Sequence, residues 1–119
     1  MRWVQKHIEA IGSGWKRWRR GMRDRWRPPI AVVPSTERPA HLRPHRLYVT
    51  SQQGQPTFGF MVCPCGCRAT LHLRFFGARS PRWSVVTDAT GHPSVTPSIW
   101  RKTGCESHFY LTRGRINWC

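Results

Sequence analysis

The chain has 119 residues, with 20 Lys and Arg against 5 Asp and Glu, and its formal net charge is +15. This length excludes a large hydrophobic core, so a metal or another cross-link would add much to the stability of the domain. No apolar stretch is long enough to cross a bilayer, and we predict no transmembrane segment. The positive charge favours an acidic partner: a nucleic acid, an anionic membrane surface or an acidic protein.

Residues 1–27 are a basic, Trp-rich arm in which we predict an amphipathic helix. Its apolar residues follow one another at steps of three and four: Val4, Ile8, Ile11, Trp15, Trp18 and Met22. This spacing places them on one face of a helix, although Gly12 and Gly14 favour a break in its middle. Two roles are open for the arm. It binds an acidic protein, a nucleic acid or a membrane surface, or it lays its tryptophan face on the domain's own sheet.

Residues 28–45 are interpreted as a proline-rich linker. Pro28 and Pro29 end the helix, because proline lacks the backbone N–H and moves the preceding residue out of the helical region. Pro34, Pro39 and Pro44 follow. We therefore expect this segment to be extended and largely without secondary structure.

Residues 46–119 are predicted to form a small antiparallel β domain. Short runs of alternating or β-branched residues, separated by turn residues, indicate strands. We expect strands at 47–50, 57–62, 69–76, 82–87, 94–100, 109–112 and 115–118, of which the strand 94–100 is interrupted by Pro97. The last two pair as a hairpin across Arg113 and Gly114. The predicted fold class is thus mainly β, with hairpins around a zinc site and an N-terminal basic amphipathic helix.

Three of the five cysteines stand in one turn, Cys63-Pro64-Cys65-Gly66-Cys67. Core packing does not explain three thiols at a place where one hydrophobic side chain is normally buried. Closely spaced thiolates on a turn are typical ligands of tetrahedral Zn²⁺. The odd number of cysteines and the absence of a recognisable signal peptide argue against a disulfide framework. We therefore predict one zinc site.

Six side chains are candidate ligands of this zinc. They are Cys63, Cys65, Cys67, Cys105, His108 and Cys119. Cys105 and His108 have the short spacing that supplies one pair of ligands, and any two thiols of the first turn supply the other pair. Cys119 approaches them if the last two strands form a hairpin. The sequence leaves the choice among these ligands open.

With these motifs in place, the segment from about residue 47 to residue 119 resembles a bacterial family catalogued as domain of unknown function number 6527. The matching pieces are CPCGC with its following strand, RWSV, PSIW, CESHF and the closing RGRINWC. The resemblance implies a zinc-binding protein that accompanies bacterial ubiquitin-like conjugation enzymes. It also implies a peptidase that processes the modifier or removes it. The chain departs from the family at Arg68-Ala69-Thr70, where members commonly carry a glycine and an acidic residue.

A zinc peptidase needs a metal with an open position for water and a side chain that moves the proton. Glu106 lies between Cys105 and His108, and we take it as the candidate general acid or base. Ser98 and His72 are weaker candidates. The alternative interpretation of Glu106 is a solvated loop charge without a chemical role.

Two functions are therefore compatible with the sequence. The first is a zinc-dependent peptidase that acts on a ubiquitin-like modifier or its conjugates. The second is a non-catalytic, zinc-stabilised adaptor, in which four protein ligands close the zinc site and the basic surface binds an acidic protein or a nucleic acid. Thiols kept for a metal fit a reducing compartment, so we expect a cytoplasmic protein.

Overall fold

The computed structural model describes residues 27–119, which form two four-stranded β-sheets. The strands are β1 (Ala31–Ser35), β2 (Arg46–Gln52), β3 (Gln55–Val62), β4 (Thr70–Arg74), β5 (Ser84–Thr87), β6 (Pro93–Trp100), β7 (His108–Thr112) and β8 (Arg115–Trp118). The first sheet has the order β1-β2-β3-β4 and the second the order β5-β6-β7-β8. Within residues 27–119, no helix has the length and apolar character that crossing a membrane requires.

The mainly β class is confirmed, and so are all seven predicted strands, with their ends displaced by a few residues. Strand pairing is antiparallel except between β1 and β2, so the first sheet is mixed. The predicted N-terminal helix lies outside the described residues.

The segment 28–45 differs from the predicted linker because it contains β1. This strand pairs in parallel with β2, from Ala31 opposite Arg46 to Ser35 opposite Thr50. Pro34 lies within β1, which is possible because β1 is an edge strand and a missing N–H there leaves no broken ladder bond. The prolines that indicated a linker are therefore compatible with a strand at the edge of a sheet.

Ile30, just before β1, also belongs to the folded domain. It is 4% exposed, and its N–H donates to the carbonyl oxygen of Gly114 at 2.8 Å. This contact ties the start of the first sheet to the β7–β8 turn of the second.

The inward faces of the two sheets share one hydrophobic core. The strands contribute Leu47, Met61, Leu71 and Leu73 from the first sheet, and Val95, Ile99, Phe109 and Leu111 from the second. Alternate residues of a strand point to opposite faces, so the residues between these core positions lie on the outer faces. The second sheet thus presents Trp100, His108 and Tyr110 outward.

A bulge in β6 interrupts its pairing with β7. Val95 lies opposite Leu111 and Ile99 opposite Phe109, so three residues of β6 span the distance covered by one residue of β7. Bulges redirect the side chains that they contain. Ser98 is one of these three residues.

Candidate functional site

Two loops from different sheets bring four thiols together. Cys63, Cys65 and Cys67 lie in the β3–β4 turn, at the predicted hairpin tip, and Cys105 lies in the β6–β7 connection. The four Sγ atoms are all within 4.8 Å of one another. Cys63 Sγ is 3.5 Å from Cys65 Sγ and 3.6 Å from Cys105 Sγ. We call this group the four-cysteine cluster.

The four-cysteine cluster has the dimensions of a metal site. Zinc–sulfur bonds of about 2.3 Å in a tetrahedron place the sulfur atoms roughly 3.8 Å apart. A disulfide would join two of them at about 2.05 Å. All five cysteines of the chain are free thiols. The cluster can therefore hold a metal ion with four thiolate ligands.

Both loops of the cluster are closed by backbone hydrogen bonds. In the β3–β4 turn, the N–H of Cys63 donates to Ala69 O at 2.8 Å and the N–H of Gly66 to Cys63 O at 3.3 Å. In the β6–β7 connection, the N–H of Arg101 donates to Ser107 O at 2.8 Å. The thiols are thus held by ordered backbone on both sides.

Ser107 and Arg101 surround the sulfur atoms with polar groups. The fully buried Ser107 places its Oγ 3.5 Å from Cys63 Sγ and 3.2 Å from Cys105 Sγ. Arg101 Nη1 donates to Cys67 Sγ at 3.4 Å and to Cys105 Sγ at 3.5 Å. A hydroxyl and a cation in these positions stabilise thiolates and orient metal ligands.

The thiols of the cluster differ in their affinity for protons. Burial raises the pKa of Cys63 to about 12. Burial also acts on Cys105, but hydrogen bonds, first of all with Ser107, lower the pKa of Cys105 to about 6. Thiolates are the metal ligands, and a bound dication favours this form in each thiol that it contacts.

The other two predicted ligands, His108 and Cys119, lie outside the four-cysteine cluster. The N–H of Cys119 donates to His108 O at 3.0 Å, as expected from the predicted hairpin, but the Cys119 thiol does not join the group. The ring of His108 faces Ser98 instead, with Nε2 2.9 Å from Ser98 Oγ.

Ser98 and His108 form a pair on the outer face of the second sheet. His108 begins β7 directly opposite Trp100, and the bulge in β6 turns Ser98 toward the imidazole. Trp83 Nε1 donates to Ser98 O at 3.2 Å and fixes the backbone of the serine. Both members of the pair are half-buried.

This pair has the geometry of a nucleophile and its base. When the Ser98 hydroxyl donates to His108 Nε2, that nitrogen is unprotonated and the imidazole carries its proton on Nδ1. Serine nucleophiles in hydrolases are activated in this way by a histidine within hydrogen-bonding distance.

Glu106 and His72, also considered as catalytic residues, do not belong to this pair. The Glu106 side chain is exposed and, in the described part of the chain, makes no hydrogen bond or ion pair. His72 lies on the outer face of the first sheet, where its ring meets the edge of Phe60 with centroids 5.2 Å apart. Burial, and then the charge of Arg38, lower the pKa of His72.

A protein-family model described as bacterial ubiquitination-like system serine protease (BubE) matches residues 34–119. The chain belongs to this family. The BubE description confirms the ubiquitin-like setting and supports a peptidase, both of which the resemblance implied. It does not bear out the identity with family number 6527, and it names a serine protease where we expected a zinc peptidase. No curated protein and no solved structure matches the chain.

From the sequence, Ser98 is only a weaker candidate for a catalytic residue, and His108 is a candidate zinc ligand. The spacing of Cys105 and His108 suggested a ligand pair, whereas the side chain two positions after Cys105 that contacts the thiols is Ser107. Both β6, with an interruption at Pro97, and β7 were predicted, yet the register between them was not. One feature of the sequence does indicate the pair: Ser98 stands near the end of one predicted strand and His108 near the start of the next, so the two residues can face each other.

Proposed function

We propose that this BubE-family chain is a serine protease that cleaves a ubiquitin-like modifier or its conjugates, with Ser98 as the nucleophile and His108 as the general base. The observation that carries the proposal is the 2.9 Å distance between Ser98 Oγ and His108 Nε2 on the outer face of the second sheet. The description of the family as serine proteases of a ubiquitination-like system supports both the chemistry and the partner.

In the proposed reaction, Ser98 Oγ attacks the carbonyl carbon of the scissile amide while its proton passes to His108 Nε2. The carbon–nitrogen bond then breaks, and the imidazolium gives the proton to the leaving amine. Water attacks the resulting acyl-enzyme ester as His108 takes one of its protons. The ester bond breaks, Ser98 regains a proton from His108, and the free carboxylate leaves.

Zinc is the metal that we propose for the four-cysteine cluster, in a structural role. Four thiolates complete a tetrahedron, which leaves no position for a reactive water. When bound, the metal supplies a cross-link between the β3–β4 turn and the β6–β7 connection. This role differs from the expected catalytic zinc served by Glu106, and the two can be separated by experiment.

The test is cleavage of a ubiquitin-like modifier fused at its C-terminus to a reporter protein. Ser98→Ala and His108→Ala should each lower kcat/KM by at least about 10³-fold, because each removes a member of one catalytic unit. Glu106→Gln should leave kcat/KM within about threefold of the wild type, since a surface substitution away from the reacting atoms changes little. Unchanged cleavage by Ser98→Ala together with loss in Glu106→Gln would restore the zinc-peptidase mechanism.

Failure of the wild type to cleave any modifier fusion would favour the non-catalytic adaptor. The basic arm of residues 1–27 would then be the first region to examine for binding of an acidic protein or a nucleic acid. The cytoplasm stays the proposed location, because free thiols persist in reducing compartments.

A further inference from the structure

We propose that Trp100 is a positioning residue for His108. Its indole holds the imidazole in the orientation that Ser98 needs and stabilises the imidazolium formed when Ser98 loses its proton. These are tasks that a buried carboxylate performs in a serine–histidine–aspartate triad. The inference rests on the proposed function and deepens it.

The two rings are stacked. Trp100 lies directly opposite His108 in the β6–β7 ladder, and their ring centroids are 5.0 Å apart with 18° between the planes. The face of the indole therefore lies against the face of the imidazole. An aromatic face attracts a cation placed over it, so the attraction grows when the imidazole becomes protonated during the reaction.

Core packing does not account for this tryptophan. Trp100 is 54% exposed, although Trp side chains are usually well buried in folded domains. By contrast, Trp83 and Trp118 pack against the core. The exposed position next to the proposed catalytic pair is the one in which a large ring can restrict the imidazole without entering the core.

In residues 27–119, the His108 ring makes a hydrogen bond with the side chain of Ser98 and a stacking contact with Trp100. The three side-chain carboxylates of this part of the chain, Glu37, Asp88 and Glu106, make no hydrogen bond with it. Asp88 accepts instead from Thr90 Oγ1 and from the backbone of its own turn. The stacked indole is thus in a position to limit rotation of the imidazole.

The experiment measures the rate at which a fluorophosphonate labels Ser98 in the full-length chain. In this reaction Ser98 Oγ attacks phosphorus, fluoride leaves, and His108 takes the hydroxyl proton. Trp100→Leu should lower the second-order labelling rate about tenfold. This factor corresponds to the loss of one cation–π interaction at a partly exposed site. Trp100→Phe should stay within about threefold of the wild type, because it keeps an aromatic face.

Phe76→Ala is the matched control, since Phe76 is another exposed aromatic residue but lies beyond β4 of the first sheet. Its labelling rate should equal that of the wild type. Nitrogen-15 spectra of the imidazole add a readout that a general loss of stability would not produce. Wild type and Trp100→Phe should show one dominant tautomer with the proton on Nδ1, and folded Trp100→Leu should show a mixture.

Three results would overturn the proposal: wild-type labelling by Trp100→Leu, equal losses in Trp100→Leu and Trp100→Phe, or a raised KM with unchanged kcat on a modifier fusion. The last would make Trp100 a substrate contact. If Trp100→Leu does not fold, the test rests on folded Trp100→Phe. A tenfold loss of its labelling rate decides against the proposal. A labelling rate within threefold of the wild type, together with the Nδ1 tautomer of His108, supports it. Labelling that persists in Ser98→Ala would instead refute the proposed function itself.

Discussion

The buried hydroxyl of Ser107 contacts two thiols of the four-cysteine cluster, although serine is not among the candidate metal ligands. Its Oγ lies within 3.5 Å of the sulfur atoms of both Cys63 and Cys105, which come from the β3–β4 turn and the β6–β7 connection. A hydroxyl is small enough to be buried there and can donate to either thiolate. At the level of single residues, we therefore expect the metal affinity of the cluster to depend on this neighbour as well as on the four thiols.

Ser107→Ala should lower the affinity for Zn²⁺ by about tenfold, because polar groups that orient metal ligands commonly contribute 10- to 100-fold to affinity. Competition of the purified protein with a chromogenic zinc chelator measures this constant. Ser94→Ala is a suitable control, since Ser94 Oγ accepts the N–H of Arg113 at 2.9 Å and contacts no thiol. Equal affinities in wild type and Ser107→Ala would contradict the assigned role.

The β7–β8 hairpin shows how a turn holds the two sheets together. Arg113 and Gly114 both have positive φ, 50° and 78°, as a two-residue hairpin loop requires. Gly114 also lies against Ile30: a Cβ added to this glycine would be 2.6 Å from the carbonyl oxygen of Ile30. The conformation of the β7–β8 hairpin thus depends on the residues of its own turn and on its contact with the segment before β1.

Gly114→Ala should lower the free energy of unfolding by about 2–4 kcal/mol, because it combines a strained φ with a backbone clash. Gly54→Ala is the matched control: Gly54 has φ 77°, and its added Cβ would meet nothing within 4 Å. This variant should cost only about 1 kcal/mol, from the strained φ alone. Denaturant unfolding of both variants measures the difference, and equal losses would show that the contact with Ile30 is unimportant.

Ile30→Ala tests whether the segment before β1 belongs to the folded domain. The side chain is 4% exposed, so its truncation should cost about 2–4 kcal/mol of unfolding free energy. Val86→Ala, on a side chain that is 68% exposed, should change this free energy by less than about 0.5 kcal/mol. A neutral Ile30→Ala would support the linker that the prolines suggested.

At the scale of the two sheets, the four-cysteine cluster brings a turn of the first sheet against a connection of the second. Three thiols come from the first sheet and Cys105 from the second. The connection that carries Cys105 starts after Trp100 and ends at His108. Metal binding should therefore stabilise both the packing of the sheets and the loop that joins the stacked rings.

Cys105→Ser should abolish stoichiometric zinc binding and lower the melting temperature by 10 °C or more, since a structural metal contributes directly to folding in small domains. Cys119→Ser should keep one zinc per chain and the wild-type melting temperature, because Cys119 lies outside the cluster. Elemental analysis and thermal unfolding measure both quantities. Retention of zinc by Cys105→Ser together with its loss in Cys119→Ser would reassign the ligands.

The sequence by itself determined the local features of this protein. Period-two alternation predicted seven strands, and Pro, Gly and closely spaced cysteines located the cysteine turn at a hairpin tip, because these signals come from residues near one another in the chain. The tertiary structure decided what depends on distant pairing. It added β1, whose partner strand begins at Arg46, and it brought four of the six candidate ligands together. It also placed Ser98 beside His108, since the register between two strands leaves no local pattern in the sequence.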